Sequence, residues 1–311
     1  MRLSTNMIYH QRLQDMNNAQ ARWMDAGSQL ASGKRVSKPS DDPQASSQAV
    51  RVNQSENRNQ QYVVSRGFAK TGMLLQMSVL TQMTEVTTQI DTTIIQASNQ
   101  GSLSDSDRMS LAEQLSGLKD QLVALGNTTD GNGRYIFAGY KSDKPPFEVN
   151  AAGDVIYKGG DKAIMQNVSS DREMTTYFTG AQVFATDSNN VVNVFKALNE
   201  GIAALKTPQD QATQSEKEAA QKALDSANTA VKSALDKISN IESKQGLQLQ
   251  EIDQLNFLAD TRSIQNSQRI SELLDTNWTG VTTDYYKEMA MFQASQDIFK
   301  DLNSMSLFGG R

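Results

Sequence analysis

The sequence predicts a mainly α-helical protein carrying a β-rich insertion. Three observations predict it. Apolar residues recur at three-, four- and seven-residue spacing over most of the chain, the 311 residues hold only five prolines, and one interval changes texture to short β-like runs between Gly-rich turns. Hydrophobic residues make up 38% and aromatics 6%, so cores are slim and aliphatic, as suits helical bundles. This length accommodates one large domain or two to three smaller ones.

The first helical segment, residues 3 to 32, places Tyr9, Met16, Trp23 and Leu30 seven apart, with Leu13 on the flank. A seven-residue repeat among Gln and Asn marks a narrow seam for another helix, not a broad core face. The segment stops at "QLASGKRVSKPSDDPQ" (29–44). Gly33 stands where a helix end needs a left-handed residue. Lys34, Arg35 and Lys38 place positive charge beside helix-end carbonyls. Asp42 before Pro43 is a start signal, a carboxylate cap followed by a residue whose missing N–H costs nothing in a first turn. On local chemistry alone this is a connector.

A second helix is predicted from Pro43 towards Gln96, with Met73, Met77, Leu80, Met83, Ile90 and Ile94 on one face. Leu111, Leu115, Leu118, Leu122 and Leu125 then give a third helix, stopped by Gly126-Asn127. Asp130-Gly131 and Asn132-Gly133 are tight-turn dipeptides, and "RYIFAGY" and "DVIYKGG" read as strands. The β-rich stretch covers about residues 130 to 187. Helix returns with Val191, Phe195, Leu198, Ile202 and Leu205. Thr207-Pro208 reads as the cap of the longest run, in which Leu224, Val231, Ile238 and Ile252 fall at multiples of seven beside Ala227, Ala234, Ile241 and Leu255. The last segment repeats the opening device: Trp278, Tyr285, Phe292 and Phe299 lie seven apart, Met289 and Leu302 join the same seam, and a loose "FGGR" follows.

Seams at both ends, bundle helices inside them and a β segment inside those predict elongated, nested layers. Residues 1–35 and 275–311 form a terminal antiparallel helical coiled coil, 36–134 and 188–274 a long-helix bundle, and 135–187 a small β-rich outer domain. The insert is expected to be compact and replaceable by a short linker.

The chain offers little chemistry. A net charge of −5 gives no basic footprint for nucleic acid, and the absence of cysteine removes disulfides, thiolate nucleophiles and zinc–thiolate sites. No apolar run has membrane-spanning length. "MRLSTNMIYHQRL" lacks the apolar core of a signal peptide, so an exported chain would leave by another route. His10 has no second His or Cys to complete a site. Asp41-Asp42 and Asp105/Asp107 sit in capping contexts, and "DGNG" reads as a hairpin turn rather than a dinucleotide loop. No cofactor, metal or catalytic residue is expected, and the chain is read as a non-enzyme. What stands out instead is apolar surface on two thin terminal helices. Isolated helices are marginal in water, so these seams predict burial against other copies, with both ends poorly ordered before assembly.

At these residues the chain resembles the flagellin family. "RLSTNMIYHQRLQDMNNAQARWMDAGSQLASGKRVSKPSDDP" is similar to the family's N-terminal signature, and "DTNWTGVTTDYYKEMAMFQASQDIFKDLNSMSLF" to its C-terminal helix. "GRYIFAGYKSDKPPFEV" with "VIYKGG" resembles the family's hook–filament junction members more than filament flagellin. Lys34 departs from the apolar residue usual in flagellins and fits a filament subunit less comfortably.

The resemblance implies a structural, secreted component of the bacterial flagellum at the hook–filament junction. Its implied partners are other copies in a ring-like layer, the first hook-associated junction protein, flagellin, and a cytoplasmic export chaperone at the C-terminal region, with no nucleic acid or membrane. The implied assembly seam is Tyr9, Leu13, Met16, Trp23, Leu30, Trp278, Tyr285, Met289, Phe292, Phe299 and Leu302. The implied inter-layer corner is Gly33, Lys34, Arg35, Asp41, Asp42 and Pro43, its mixed charges lying between neighbouring subunits. Two other readings are a filament-forming flagellin and a secreted binding module that uses the β insertion. The second explains the insert but not the seams.

Overall fold

The structure, a computed structural model of the chain, describes residues 5–98, 103–151, 153–208 and 212–304, without the side chains of residues 5, 6, 8 and 302–304. The expected "FGGR" end and the side chain of Leu302 lie outside the described residues. In order the elements are α1 (Thr5–Ser32), α2 (Pro43–Ala97), α3 (Asp105–Gly126), β1 (Phe147–Val149), β2 (Val155–Tyr157), β3 (Ile164–Ser169), β4 (Arg172–Tyr177), α4 (Gly180–Val183), α5 (Asn193–Lys206), α6 (Gln214–Leu274) and α7 (Trp278–Ser304). The chain divides into two compact units, residues 1–60 with 259–311 and residues 61–258. Helices α2 and α6 contribute to both.

In the 61–258 unit the core is built on a ladder along α2. Ala69, Met73, Gln76, Leu80, Met83, Thr87, Ile90, Ile94 and Ala97 alternate steps of three and four, and each is 0% exposed. Helix α6 answers with Leu224, Val231, Ile238, Gln245 and Ile252, every seventh residue and all fully buried. The two helices run antiparallel within this unit. Arg66 Nε donates to Asn256 Oδ1 at 2.7 Å, while further along α2 the Gln245 amide donates to Gln76 Oε1 at 2.7 Å. Gln76 in turn holds the chain leaving β4, donating to Phe178 O (2.9 Å) and accepting from Phe178 N (2.8 Å). A polar knot thus replaces one apolar layer and fixes the register of three segments.

Helix α3 starts as its residues predict. Ser104 Oγ accepts from Asp107 N and the Asp107 carboxylate accepts from Ser104 N, a reciprocal cap. It packs antiparallel to α5, with buried Arg108 donating to Ala204 O at 3.0 Å and Lys119 to Asn199 Oδ1 at 3.1 Å. Burial pushes the Arg108 pKa down, countered by Asp105 nearby. The start predicted for the longest helix is corrected. Thr207 closes α5, its hydroxyl donating to Ala203 O, and α6 is capped by Thr213 with Glu216. A Thr-Pro pair suits either end of a helix, and the Thr-x-x-Glu box at 213–216 is the more complete start signal.

The insertion holds two separate two-stranded antiparallel sheets, β1–β2 and β3–β4. In the first, Phe147 opposes Tyr157; in the second, Ile164 opposes Tyr177 and Ser169 opposes Arg172. "DVIYKGG" supplies β2, but "RYIFAGY" is a run of turns rather than a strand. Its Ile136, Phe137 and Ala138 are buried, and backbone bonds tie Ile136 N to Thr128 O and Gly160 N to Ala138 O. The β-branched and aromatic content that suggests a strand here plugs a core instead.

That core is shared. Ile136, Phe137, Phe147, Val155, Tyr157 and Phe184 belong to one cluster with Leu80, Leu122, Phe195 and Leu198 of the helices. Val168 and Met174 of the β3–β4 hairpin close over Ala69, Met73 and Ile252. Two-stranded hairpins are marginal alone, so the insertion takes its burial from the bundle. Tyr157 sits at the join, its hydroxyl within 2.9–3.0 Å of Gly160 O and Phe137 O, and burial pushes its pKa up to about 12.

Candidate assembly surface

In the unit of residues 1–60 and 259–311, α1 and α7 lie antiparallel. Tyr9 meets Phe299 with ring centroids 5.3 Å apart; Trp23 meets Phe292 at 5.6 Å and Tyr285 at 6.1 Å. At the far end a Cβ on Gly33 would meet the Trp278 ring at 3.4 Å. Arg22 reaches Glu288 at 3.0 Å across the pair. Six predicted seam residues, Tyr9, Trp23, Trp278, Tyr285, Phe292 and Phe299, thus come together through ring contacts or the Gly33 approach. Leu13, Met16, Leu30 and Met289 are half-buried on the same two helices.

The seam is incompletely covered. Its fully buried members are small, Ala19 and Ala26, seven apart on α1. Gly27 follows, and a Cβ on it would meet the Tyr285 ring at 3.4 Å, so the small residue lets that ring lie close to α1. These three were invisible to a search for large apolar residues; the signal was their place at three- and four-residue steps between Met16, Trp23 and Leu30. Around them Met7 (63%), Met24 (58%), Trp278 (58%) and Tyr286 (60%) stay exposed, with Met291 and Ile298 lining a groove of about 390 Å³. Lone surface apolars are ordinary; here several share one two-helix pair. Each such side chain gains about 1.5–3 kcal/mol on full burial.

The corner is a clasp. Gly33 has φ +69°, and its N–H bonds Gln29 O at 2.9 Å, ending α1 as expected. Lys34 then pairs with Asp275 in an isolated antiparallel bridge. Arg35 N and Val36 N donate to Leu274 O, and Thr276 N donates to Gly33 O at 3.0 Å. Arg35 is its pivot: one guanidinium nitrogen donates to Leu273 O at 2.9 Å and another to Asp42 at 3.1 Å. Pro43 opens α2, and Asp42 Oδ1 accepts from Ala45 N at 2.9 Å. Asp41 accepts from Ser37 N and Lys38 N.

Both carboxyls are held below their ordinary range. For Asp41 the main cause is the Lys38 amide; for Asp42 it is the Ala45 amide, then Arg35. Arg35, Asp41 and Asp42 therefore hold the turn, while the Lys34 and Lys38 side chains are exposed. The segment 273–276, which answers the corner, carries no sequence signal beyond the Asp-Thr-Asn cluster before Trp278.

Among the described residues no group of three or more His, Cys, Asp or Glu is placed to hold a metal ion, and no helix is long and apolar enough to cross a membrane. His10 is exposed beside the Tyr9 ring.

Comparison with known proteins places these features. The profile described as the bacterial flagellin N-terminal helical region matches residues 3–142. The chain is 42% identical to flagellar hook-associated protein 3 of Salmonella typhimurium over 99% of both chains. It is 41% identical to the protein of the same name in Escherichia coli, again over 99% of both. Among solved structures, the flagellar junction protein FlgL of Legionella pneumophila shares the fold with a TM-score of 0.62 at 18% identity, covering 73% of this chain and 100% of that one.

Proposed function

The chain belongs to the flagellar hook-associated protein 3 family, and from that premise we propose that it is a structural adapter of the bacterial flagellum. It forms a layer at the hook–filament junction and presents the platform on which flagellin adds. It is an exported, extracellular part rather than an enzyme, and it associates with other flagellar components. The observation that carries the reading is the α1–α7 pair, whose apolar residues exceed what two helices bury in each other.

In this reading the seam from Tyr9 to Phe299 packs against other copies in a ring-like layer. The first hook-associated junction protein lies on one side and flagellin on the other. The exposed apolar residues of α7, Trp278, Tyr286, Met291 and Ile298, support a cytoplasmic chaperone that covers the C-terminal region before export. In this reading the clasp at 33–36 and 274–276, which lies inside the unit of residues 1–60 and 259–311, is the boundary of a terminal layer, residues 1–35 with 275–311.

Electron microscopy of purified chain mixed with isolated hook ends tests this. The chain should bind hook ends, stay short, and let flagellin extend from them. Micrometre-long filaments of the chain alone would mark a filament subunit instead, because an adapter needs ends that match two different proteins.

A further inference from the structure

We propose that Met7, Met24 and Met291 are modification sites, at which a peroxide oxidises the thioether to the sulfoxide and reversibly disables the α1–α7 assembly surface. The inference rests on the adapter reading and adds a chemical control to it.

Sulfur in this chain is sorted by cover. There are thirteen methionines and no cysteine, so thioethers are its only sulfur. Helices α1 and α7 carry Met7, Met16, Met24, Met289 and Met291, and none of the five is buried. In the 61–258 unit, by contrast, Met73 and Met83 of α2 and Met174 of β4 are each 0% exposed. Met7, Met24 and Met291 are open at 63%, 58% and 45%. Met24 and Met291 adjoin in sequence the two rings that stack across the pair, Trp23 and Phe292. Met7 stands just before Tyr9, which meets Phe299. Met291 also lines the groove that reaches buried Ala19. All three therefore lie on the helices that the adapter reading covers with neighbouring copies, and they are accessible until that cover arrives.

The chemistry turns on one property of the side chain. A thioether is apolar, polarisable and unbranched, so it adapts to an irregular partner surface. A sulfur lone pair attacks one oxygen of the peroxide; the O–O bond breaks and an S–O bond forms. The sulfur gives up two electrons, the peroxide takes them, and with hydrogen peroxide the second oxygen leaves as water. The product is polar and chiral, and it disrupts apolar interfaces. Burying a sulfoxide without a hydrogen-bond donor sacrifices the hydration it has in water. Access to the oxidant decides which sulfurs react, so the surface changes while the core methionines keep the fold. The thiol reductants of the cytosol are absent outside the cell, where this reading places the chain.

The test treats the full-length chain with hydrogen peroxide at doses that leave its circular dichroism unchanged and reads modified peptides by mass spectrometry. Met7, Met24 and Met291 should gain oxygen at least about tenfold faster than Met73 and Met83. Binding to purified hook ends, counted by electron microscopy, should then fall about tenfold or more. Methionine sulfoxide reductases for both sulfoxide epimers, with a thiol reductant, should restore it. M7L/M24L/M291L keeps volume and apolarity without an oxidisable sulfur, so its binding should survive the same dose. M109L/M165L removes two exposed methionines outside α1 and α7 and should leave the chain as sensitive as the parent. Oxidised chain that binds normally overturns the proposal. So does binding that reduction fails to restore, a triple variant that stays sensitive, or protection by M109L/M165L. If the triple variant does not bind even untreated, the reductase arm and M109L/M165L decide between the same outcomes. Failure of the untreated parent chain to bind hook ends removes the adapter reading itself, and this inference with it.

Discussion

The indole of Trp23 stacks on the ring of Phe292, with centroids 5.6 Å apart and planes within 15°. The contact joins two helices that meet only because the chain returns to its start. Yet each ring remains partly open to solvent, and the Trp23 Nε1–H is enclosed without an acceptor among the described residues. Phe292→Asp places an unpaired charge in this stack. We expect hook-end binding to be abolished while the bundle's helical circular dichroism is retained. Retained binding would remove the seam from the assembly surface.

Hydrogen exchange should rank the helices by their cover. Helix α2 buries nine consecutive ladder positions completely, whereas on α1 only Ala19 and Ala26 are buried among the described side chains. Amides of α1 and α7 should exchange at least tenfold faster than those of α2 between Ala69 and Ala97, reflecting local opening. Equal protection would mean the terminal pair is stable without neighbours.

The buried glutamines predict an asymmetry. Among the described residues the Gln76 side chain makes three bonds and that of Gln245 one, with Gln245 Oε1 unpartnered. Gln76→Leu leaves both Phe178 backbone groups and the Gln245 amide unsatisfied and should cost about 2–4 kcal/mol. Gln245→Leu leaves Gln76 with its two backbone bonds and fills the layer with an apolar group. It should fall within about 1 kcal/mol of the parent in urea unfolding.

Removal of the insertion should damage the bundle. Replacing residues 135–187 by a Gly/Ser linker deletes Phe137, Phe147, Tyr157 and Phe184 from a core that Phe195 and Leu198 share. Each buried aromatic contributes about 1.5–3 kcal/mol, so cooperative helical unfolding should be lost or its midpoint lowered sharply. A cooperative bundle of undiminished stability would show that the helices close over the gap.

Acid should loosen the turns first. Asp41, Asp42, Glu56 and Glu216 are all held below their ordinary values, 3.8 for Asp and 4.5 for Glu. A carboxyl depressed in the folded state contributes stability above its unfolded pKa and loses it as pH falls through the folded one. Thermal stability should therefore hold at neutral pH and decline from about pH 4.5 downward. Asp42→Asn should flatten the lower part of that decline. An unaltered acid profile in Asp42→Asn would exclude Asp42 from the linkage.

Helices were legible because their periods are long and their ends carry chemistry. Pro43, Gly33 and Gly126 mark boundaries that the backbone honours within a residue. The sharing of the core was not legible. A run such as "RYIFAGY" tells how apolar its residues are but not what they pack on, and no local rule separates a strand from a buried loop. The polar knot left a faint trace, a gap at position 245 in an otherwise apolar seven-residue series.

The bridge between Lys34 and Asp275 also has a meaning in time. It joins positions 241 apart in the chain, so nearly all the intervening polypeptide must be present before it can close. Closing so long a loop carries a large entropic cost and gains nothing from neighbours in sequence. A chain delivered from either end would hold a free corner until residue 275 or residue 34 arrived. Formation of the clasp then reports that all but the last terminal helix has been delivered, and it sets the point at which that helix turns back along its partner.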